Sequence, residues 1–372
     1  MTGSLTDVLP SAFALLGLGT DDRLGLAGPL GSPHRIVLVL VDGLGYHLLP
    51  QAAESAPLFA DVLAGGAGRL DELACTLPST TPTSLVSLGT GVAPGEHGIV
   101  GFTVNVPGTD RVLTHILWRT DPPVATWAPV PTLFARAADA GITSAVVLPG
   151  LFEGSGLTAA AYGGARFVPL ARADDKVTAI LHALDEGARF VYSYTPAMDS
   201  AMHGHGLGSP EWAAAAERTG TFLSRLRAAL PRDTALLVTA DHGGLDIPTS
   251  ARLDLADDPR LSAGLRVVAG EPRFRYLYTQ PGASGDVHAA WSAVLAHRAD
   301  VLTRDEVLAT GLLGPVRPEF AERIGDVVVI SRGETAIFAT GHEPAQVSSL
   351  VGLHGARTPA ETAIPLISFA AH

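Results

Sequence analysis

The sequence predicts an α/β fold in which a central, mostly parallel sheet carries helices on both faces. Short β-branched runs alternate along the chain with amphipathic or alanine-rich runs, as expected for strands that are joined by crossover helices. The 372 residues are 47% hydrophobic and 17% charged, a balance that is typical of a chain with a large buried core. This length fits one large α/β domain or a domain with a substantial insertion.

Four runs are predicted as strands of this sheet, because each is apolar without alternation, as in a parallel strand that is covered on both faces. The predicted strands are 36–41, 144–148, 190–194 and 235–239. Helical spacing of apolar or alanine residues predicts helices elsewhere. The predicted helices are 131–140, 177–184 and 210–230.

The segment 245–348 has a different texture, with many aspartates and arginines, frequent Pro and Gly breaks, and an alternating strand over 273–278. It predicts a smaller α+β lobe that is inserted into the main sheet. The apolar run 363–369 is then expected to return as a final strand. The predicted domains are therefore a catalytic core of 1–244 with 349–372, and an inserted lobe or cap of 245–348.

Charge and cysteine content limit the possible partners and the compartment. The formal net charge of −12 argues against binding to a nucleic acid polymer or to an anionic membrane. Small phosphate substrates stay possible, because bound divalent cations can dominate the local field. The single cysteine, Cys75, allows no intrachain disulfide. With no basic leader and no apolar run of membrane-spanning length, a cytoplasmic protein is predicted, and its oligomeric state is left open.

Three aspartates lie just after predicted strands. Asp42 follows the strand 36–41, Asp241 follows 235–239, and Asp199 follows 190–194 after a short loop. Ligands of open parallel sheets bind beyond the carboxyl ends of the strands. Three carboxylates at that edge would repel one another unless a cation lay among them.

Two of these aspartates are accompanied by histidines. His203 follows Asp199 at a spacing of four residues, and His242 follows Asp241 directly. Mixed carboxylate and imidazole ligands suit zinc or a similar first-row metal better than magnesium or calcium. Each pair alone could be an ordinary turn or an ordinary pair on a helix surface. Their joint position at strand ends is what predicts a metal site.

A candidate nucleophile lies in the Thr-Pro segment 77–91. Pro82 suits the first position of a helix, which predicts Thr81 as the N-cap with its hydroxyl at the positive end of that helix. A phosphoryl group is favoured at this position. Local sequence also allows Thr81 to be a simple cap, and it leaves three rival hydroxyls in place: Thr80, Thr83 and Ser84.

The order of these motifs resembles that of the nucleotide pyrophosphatase/phosphodiesterase family of the alkaline phosphatase superfamily. The matching motifs are Val41-Asp42-Gly43, the Thr-Pro segment running through Thr90-Gly91 to His97-Gly98-Ile99-Val100, Asp199-x-x-x-His203, Asp241-His242-Gly243 and Gly352-Leu353-His354-Gly355. In that family the nucleophile lies nine residues before the threonine of the Thr-Gly pair, which gives Thr81. The resemblance spans nearly the whole chain, and 245–348 matches least.

The resemblance implies an alkaline-phosphatase-like sandwich and two zinc ions, with other divalent transition metals as alternatives. Carried over position by position, it assigns one ion to Asp42, Asp241, His242 and the Thr81 oxygen. It assigns the other ion to Asp199, His203 and His354. His97 lies in a matching motif but is expected to be structural. His342 and His205 are alternatives to His354, which is preferred because Gly-x-His-Gly before a final strand fits the family pattern.

The activity implied is hydrolysis of phosphodiester or nucleotide pyrophosphate bonds in a small-molecule phosphate ester, through a phosphothreonine intermediate. Family members usually have an asparagine directly after His-Gly-Ile-Val, whereas here Asn105 lies a few residues later. A phosphomonoesterase or phosphonate hydrolase on the same two-zinc site is therefore an alternative. A metal-stabilised binding protein without turnover is the third hypothesis. Cys75 lacks the sequence context of the sulfatase branch.

Overall fold

The computed structural model describes residues 3–172 and 175–371. Its strands are β1 (Arg35–Val41), β2 (Arg69–Ala74), β3 (Thr103–Asn105), β4 (Val112–Thr114), β5 (Ser144–Pro149), β6 (Arg166–Leu170), β7 (Phe190–Thr195), β8 (Thr234–Thr239), β9 (Leu245–Asp246), β10 (Arg252–Asp254), β11 (Leu265–Glu271), β12 (Phe274–Thr279), β13 (Ala299–Thr303), β14 (Val327–Ser331), β15 (Ala336–Phe338), β16 (Gly352–Leu353) and β17 (Ala363–Phe369). Its α-helices are α1 (Val8–Leu15), α2 (Ala27–Leu30), α3 (Leu49–Ala53), α4 (Pro57–Leu63), α5 (Thr81–Thr90), α6 (Pro94–His97), α7 (Val124–Trp127), α8 (Leu133–Asp139), α9 (Gly156–Tyr162), α10 (Lys176–Asp185), α11 (Ala197–His205), α12 (Pro210–Ala229), α13 (Pro259–Ser262), α14 (Ser284–Leu295), α15 (Arg304–Thr310) and α16 (Pro359–Thr362).

The central sheet has seven strands in the order β2-β17-β8-β1-β7-β5-β6. The four strands predicted from apolar runs are present as β1, β5, β7 and β8, and β1 pairs in parallel with both β7 and β8. The predicted final strand is β17, which runs antiparallel to β8 and β2. The sheet is therefore mostly parallel, as predicted, with one reversed strand near an edge.

Helices cover both faces of this sheet, and the three predicted helices are present as α8, α10 and α12 within two residues at each end. Aromatic packing fixes part of one layer, where Phe13 of α1 contacts Phe134 of α8 and Phe190 of β7. Ser209 is the N-cap of α12, and its hydroxyl accepts a hydrogen bond from the Trp212 N–H. No helix among the described residues is both long and apolar enough to cross a membrane.

A second, antiparallel sheet has the order β11-β12-β14-β13 and lies wholly within 245–348. One of its faces, with Tyr276 and Ile330, belongs to the main hydrophobic cluster. The other face, with Leu277 and Val329, packs on Trp291 of α14 in a separate cluster. This sheet and its helix have the α+β composition predicted for the inserted lobe, and the boundary at 245 and 348 stays a prediction.

The alternation over 273–278 does not produce a solvent-facing side of the strand, since every residue of β12 is buried. Arg273 is fully buried and forms a two-pronged ion pair with Glu361, with Nε–Oε1 2.6 Å and Nη2–Oε2 2.9 Å. Arg275 is also buried and pairs with Glu343 at 2.7 Å. Alternation of polar and apolar residues therefore does not distinguish a side chain that faces water from one that is paired with a buried carboxylate.

Two buried histidines hold the segment around 97–127 in place. His97 Nδ1 accepts from the Ile99 N–H at 3.1 Å, so its Nε2–H donates to Ser87 Oγ at 2.8 Å. His115 Nε2 accepts from the Trp127 Nε1–H at 3.0 Å, so its Nδ1–H donates to a backbone carbonyl at 2.7 Å. Both rings are therefore neutral, and burial lowers the pKa of His97 to about 3 and that of His115 to about 4.

These shifts predict a loss of stability in acid. Between the ordinary histidine pKa of 6.5 and the folded value of about 4 for His115, the unfolded chain binds the proton and the folded chain does not. The free energy of unfolding therefore falls as the pH falls through this window, by roughly 3 kcal/mol for a shift of this size. Urea denaturation near neutral pH and in mild acid measures the slope.

The variant His115→Gln is expected to be less stable at neutral pH but to lose less stability on acidification. The control is His182→Gln, because His182 is an exposed residue of α10 and its replacement should leave the acid slope unchanged. An unchanged slope in His115→Gln would contradict the assignment of the acid sensitivity to this buried ring.

Candidate active site

Three neighbouring strands deliver the predicted carboxylates to one edge of the central sheet. Asp42 follows β1 directly, Asp241 lies two residues beyond β8, and Asp199 is in the first turn of α11 after β7. The Asp199 N–H donates to the Asp42 carbonyl at 3.2 Å. The Gly43 N–H donates to Asp241 Oδ1, also at 3.2 Å. The three aspartates thus meet as the strand-end argument predicts.

Gly43 is required for this approach. Its φ of +72° lies in the left-handed region, and a Cβ added there would lie 2.9 Å from Asp199 Cβ. Any other residue would both strain the backbone and push α11 away from the end of β1. Gly43 therefore allows the close approach of Asp42 and Asp199.

The first cluster is formed by Asp42, Asp241 and His242. The Gly243 carbonyl can only accept, so the 2.9 Å contact from His242 Nδ1 places the ring proton on that nitrogen. The Nε2 atom on the other side of the ring lies 3.4 Å from Asp42 Oδ1 and 3.5 Å from Asp241 Oδ2. Both carboxylate oxygens are buried and have no hydrogen-bond partner. Two buried carboxylates that approach the same ring nitrogen repel each other unless a cation lies among them.

The second cluster is formed by Asp199, His203 and His354. His203 Nδ1 donates to the Gly352 carbonyl at 2.7 Å and His354 Nδ1 donates to the Ser79 carbonyl at 2.8 Å. Their Nε2 atoms lie 3.3 Å apart, and Asp199 Oδ2 lies 3.4 Å from His203 Nε2. Burial holds the pKa of His354 well below its usual value, which keeps this ring neutral and able to bind a metal.

The electrostatics of both clusters favour a cation. Burial, and then the charges of Asp241 and Asp199, raise the pKa of Asp42 well above its usual value. Among the described residues, no lysine or arginine forms an ion pair with any of the three aspartates. Ligand atoms of Asp199, His203 and His354 lie within 4.8 Å of one another, as do those of Asp42, Asp199 and His242. The site can therefore hold metal ions, and Asp199 borders both positions.

The N-cap prediction for Thr81 is wrong by one residue. Helix α5 begins at Thr81, and Thr80 is the N-cap, with an extended backbone (φ −141°, ψ 146°). The Thr80 carbonyl accepts the first helical hydrogen bond from the Ser84 N–H at 3.1 Å. The residue before a proline is only biased against helical geometry, and this hydrogen bond decides the boundary. The Thr81 hydroxyl still lies in the first turn of the helix.

The structure separates Thr81 from its three rivals. Thr80 donates to Glu271 Oε2 at 3.1 Å, Thr83 donates to a backbone carbonyl at 2.7 Å, and Ser84 donates to the Asp241 carbonyl at 2.8 Å. All three rivals are fully buried. Thr81 is partly exposed, and its Oγ1 lies 3.2 Å from His242 Nε2. Of the four hydroxyls, only that of Thr81 is both accessible and in contact with the first cluster.

A model of the family described as type I phosphodiesterase / nucleotide pyrophosphatase matches residues 36–357. The chain belongs to this family. The match includes Thr81 and every aspartate and histidine of the two clusters. The protein is therefore an enzyme of the phosphodiesterase/nucleotide pyrophosphatase type, as its motifs predict.

Solved structures support the same fold for this phosphodiesterase. It is similar to human ectonucleotide pyrophosphatase/phosphodiesterase 5, with 17% identity, a TM-score of 0.72, and coverage of 90% of this chain and 88% of that one. The murine protein of the same name is 16% identical, with a TM-score of 0.70 and the same coverage. Phosphonoacetate hydrolase from Sinorhizobium meliloti 1021 is 21% identical, with a TM-score of 0.69 over 91% of both chains. A search of curated proteins found no match.

The other histidines of the motifs, and Asn105, lie outside the two clusters. His205 and His342 are exposed and absent from both groups, so His354 is the histidine that completes the second cluster. His97 is bound within the core through Ser87, in keeping with the structural role expected for it. Asn105 donates from its side chain to the Thr109 carbonyl at 2.9 Å, within its own hairpin.

Two residues close to the clusters were not anticipated from the sequence. The Tyr194 hydroxyl donates a short hydrogen bond to Asp42 Oδ2. Glu271, at the end of β11, lies with its Oε2 3.8 Å from His354 Nδ1, and its Oε1 is buried without a partner. The loop of Gly355 can approach Glu271 because glycine has no Cβ. A Cβ at this position would lie 2.8 Å from Glu271 Cδ. Tyr194 ends a predicted strand, which is a weak signal, and nothing in the local sequence indicates Glu271.

Proposed function

We propose that this enzyme hydrolyses phosphodiester or nucleotide pyrophosphate bonds through a phosphothreonine on Thr81, with two Zn²⁺ ions in the two clusters. One observation carries the proposal. The Nε2 atom of His242 lies within 3.5 Å of two carboxylate oxygens that have no hydrogen-bond partner, Asp42 Oδ1 and Asp241 Oδ2, and 3.2 Å from the Thr81 hydroxyl. A candidate nucleophile and a candidate cation site therefore share one point.

The ligand assignment follows the clusters. The first ion would be held by Asp42, Asp241, His242 and the Thr81 oxygen, and the second by Asp199, His203 and His354. Nitrogen and carboxylate ligands in these proportions suit zinc, and other divalent transition metals would use the same atoms. When bound, such ions lower the pKa of a coordinated hydroxyl and stabilise charge on the phosphoryl and leaving oxygens.

Thr81 itself supplies the position and the nucleophilic oxygen. In the first turn of the ten-residue helix α5, the helix dipole favours a phosphoryl group in front of the hydroxyl. The Oγ1–phosphorus bond forms while the bond from phosphorus to the leaving oxygen breaks. Water then hydrolyses the phosphothreonine and restores the hydroxyl. The buried, engaged hydroxyls of Thr80 and Ser84 are not available for this step.

A phosphomonoesterase or phosphonate hydrolase on the same site is the second candidate. The observation that favours it is the fold likeness to phosphonoacetate hydrolase, together with the position of Asn105, whose side chain is bound within its own hairpin. The diester candidate is preferred because the cavity beside the second cluster adds the carboxyl group of Glu271, and its one arginine or lysine among the described residues, Arg275, is already paired with Glu343.

Two assays on metal-loaded protein test the proposal. Elemental analysis should find about two zinc ions per chain, and bis(p-nitrophenyl) phosphate should be hydrolysed with a kcat/KM at least about ten-fold above that of p-nitrophenyl phosphate. Chelation should abolish both rates, and zinc should restore them. Active protein without a transition metal would overturn the metal assignment, and a preference for the monoester would favour the second candidate. Metal-loaded protein without any turnover would indicate a binding protein.

Two further assignments belong to this proposal. The segment 245–348 is proposed as a cap on a core of 1–244 and 349–372, because its residue Glu271 lies against the second cluster. A cytoplasmic location is proposed because the single cysteine, Cys75, is buried as a free thiol, which suits a reducing compartment.

A further inference from the structure

A cavity of about 410 Å³ lies where the starts of α10 and α11 meet the middle of α12. None of its described lining residues belongs to either metal cluster. Its volume lies within the range of about 300–1,000 Å³ of small-molecule sites. This α10–α12 cavity therefore has no part in the proposed reaction and is a separate candidate site.

Lys176, the single lysine of the sequence, lines this cavity and is only 7% exposed. Its Nζ donates to the Tyr194 carbonyl at 2.8 Å and lies 5.0 Å from the centre of the Phe222 ring. An ammonium group has three N–H donors, and the Tyr194 carbonyl is its one hydrogen-bond acceptor among the described residues. Burial lowers the pKa of Lys176 to about 8, so the group is charged near neutral pH. A buried positive charge with spare donors favours an anion beside it.

Two arginines of α12 add positive charge to the same cavity. Arg218 and Arg225 both line it, and their spacing of seven residues places them on one face of the helix. Among the described residues, α12 forms a single ion pair, that of Glu211 with His205. The guanidinium groups of both arginines are therefore without a carboxylate partner in the part of the chain that the structure describes.

The cavity is thus positive in a chain whose net charge is −12. Its described lining residues include three basic groups and one carboxylate, that of Glu217, which leaves a net charge of +2. Thr219 adds a buried hydroxyl that has no hydrogen-bond partner. The helices α10 and α11 begin here at Lys176 and Ala197, and neither N-cap has a side-chain hydrogen bond to the first turn. The free N–H groups and the positive dipole at such helix starts also favour an anion.

We propose that the α10–α12 cavity binds a dianionic phosphate group, either as inorganic phosphate or as the phosphate of a small monoester. A dianion balances the net charge of +2. Its oxygens accept hydrogen bonds from ammonium, guanidinium and hydroxyl groups, which are the donors that line the cavity. A volume of about 410 Å³ also leaves room for the organic part of a monoester against Val177 and Phe222.

Tyr194 lies between this site and the first metal cluster. Its carbonyl accepts from Lys176, and its hydroxyl donates to Asp42 Oδ2. A phosphate bound at Lys176 is therefore distinct from a substrate phosphoryl group at the metals. Its binding needs no turnover, so the inference goes beyond the proposed function and is independent of it.

The single lysine makes binding directly observable. Protein labelled with ¹³C-lysine gives lysine signals from Lys176 alone, and NMR follows them as inorganic phosphate is added to the zinc-loaded enzyme near neutral pH at constant ionic strength. A saturable shift with a Kd of about 1 mM or tighter is expected, whereas potassium chloride should produce none. The absence of a saturable shift would overturn the proposal.

Phenylphosphonate, a stable analogue of a phosphate monoester, distinguishes the two sources of the phosphate group. It is added to the same labelled enzyme, and its Kd is compared with that of inorganic phosphate. Binding as tight as that of inorganic phosphate, or tighter, would support a monoester as the ligand. Weaker binding would support free phosphate.

Two exposed arginines give a matched pair of variants. Arg225 lines the cavity, whereas Arg232 follows α12 and does not line it. Arg225→Gln should raise the Kd for inorganic phosphate by at least about five-fold, and Arg232→Gln should leave it unchanged. Both side chains are exposed, so both variants should retain the wild-type melting temperature, and both keep the Lys176 signal. If Arg225→Gln retains the wild-type Kd, the cavity is not the phosphate site.

Inhibition of ester hydrolysis by phosphate separates this site from phosphate bound at the metals. Arg225→Gln should leave the competitive inhibition constant of phosphate unchanged while it raises the Kd measured at Lys176. If both constants rise together, one site accounts for both effects and the proposal is overturned. If the protein hydrolyses no phosphate ester and Lys176 still reports saturable binding that Arg225→Gln weakens, the proposed function fails and the anion site stands.

Discussion

Replacement of Thr81 by alanine is expected to reduce kcat for bis(p-nitrophenyl) phosphate by at least about 1,000-fold, since removal of a catalytic nucleophile has effects of this size or larger. The neighbouring hydroxyls cannot substitute, because Thr80, Thr83 and Ser84 are fully buried and hydrogen-bonded elsewhere. Zinc content should stay near two ions per chain, because the aspartate and histidine ligands are unchanged. Steady-state rates and elemental analysis on the same preparation measure both effects.

Two controls make this test specific. Thr83→Val keeps the shape of a buried side chain outside the clusters and should retain activity within a few-fold, whereas Thr81→Ser keeps a hydroxyl and should retain part of it. Mass spectrometry of acid-quenched enzyme should find the phosphoryl group on Thr81. Near-native activity of Thr81→Ala would show that Thr81 is not the nucleophile.

Replacement of Arg273 by methionine is expected to lower the free energy of unfolding by about 3–5 kcal/mol, because it leaves the Glu361 carboxylate buried without its partner. Both side chains are fully buried. Arg273 also donates to the Thr335 carbonyl at 2.6 Å, while Glu361 Oε1 accepts from the Ala356 N–H at 2.9 Å. Urea denaturation of the metal-free protein gives the difference directly.

The exposed pair of Arg69 and Asp71 provides the comparison. Its N–O distance is 2.7 Å, similar to that of the buried pair, but the Arg69 side chain is 52% exposed. Arg69→Met should therefore change the free energy of unfolding by less than about 1 kcal/mol. If Arg273→Met is no more destabilising than Arg69→Met, then the buried pair does not stabilise the packing of β12 against the Glu361 segment.

The core strands and their aspartates could be predicted because the relevant signals are local. An uninterrupted apolar run specifies a strand that is buried on both faces, and a carboxylate that follows it lies at the carboxyl edge wherever the strand sits in the sheet. These two local signals were enough to predict the positions of Asp42 and Asp241. The edge strands β2 and β6 escaped prediction because part of each is exposed. Charged residues interrupt the apolar pattern of β2, and β6 is a short run that contains Pro169.

The features that sequence could not supply depend on contacts between distant segments. Glu271 reaches the second cluster only because β11 packs beside the loop of His354. The alternating pattern over 273–278 gives no indication that Arg273 and Arg275 are buried and paired with Glu361 and Glu343. The start of α5 was misplaced by one residue, because a proline biases its neighbour whereas a single backbone hydrogen bond fixes the boundary.

The order of the metal-facing residues along the chain has a consequence for how the enzyme matures. Asp42, Asp199, Asp241 and His354 come from segments separated by long stretches of sequence, so no early fragment of the chain contains a complete binding site. The entropy of closing such long loops is lost before the non-local contacts form. Tight metal binding requires the assembled geometry. Uptake of zinc from a coloured chelator during refolding should therefore follow the formation of the sheet and serve as a clock for the last step of folding.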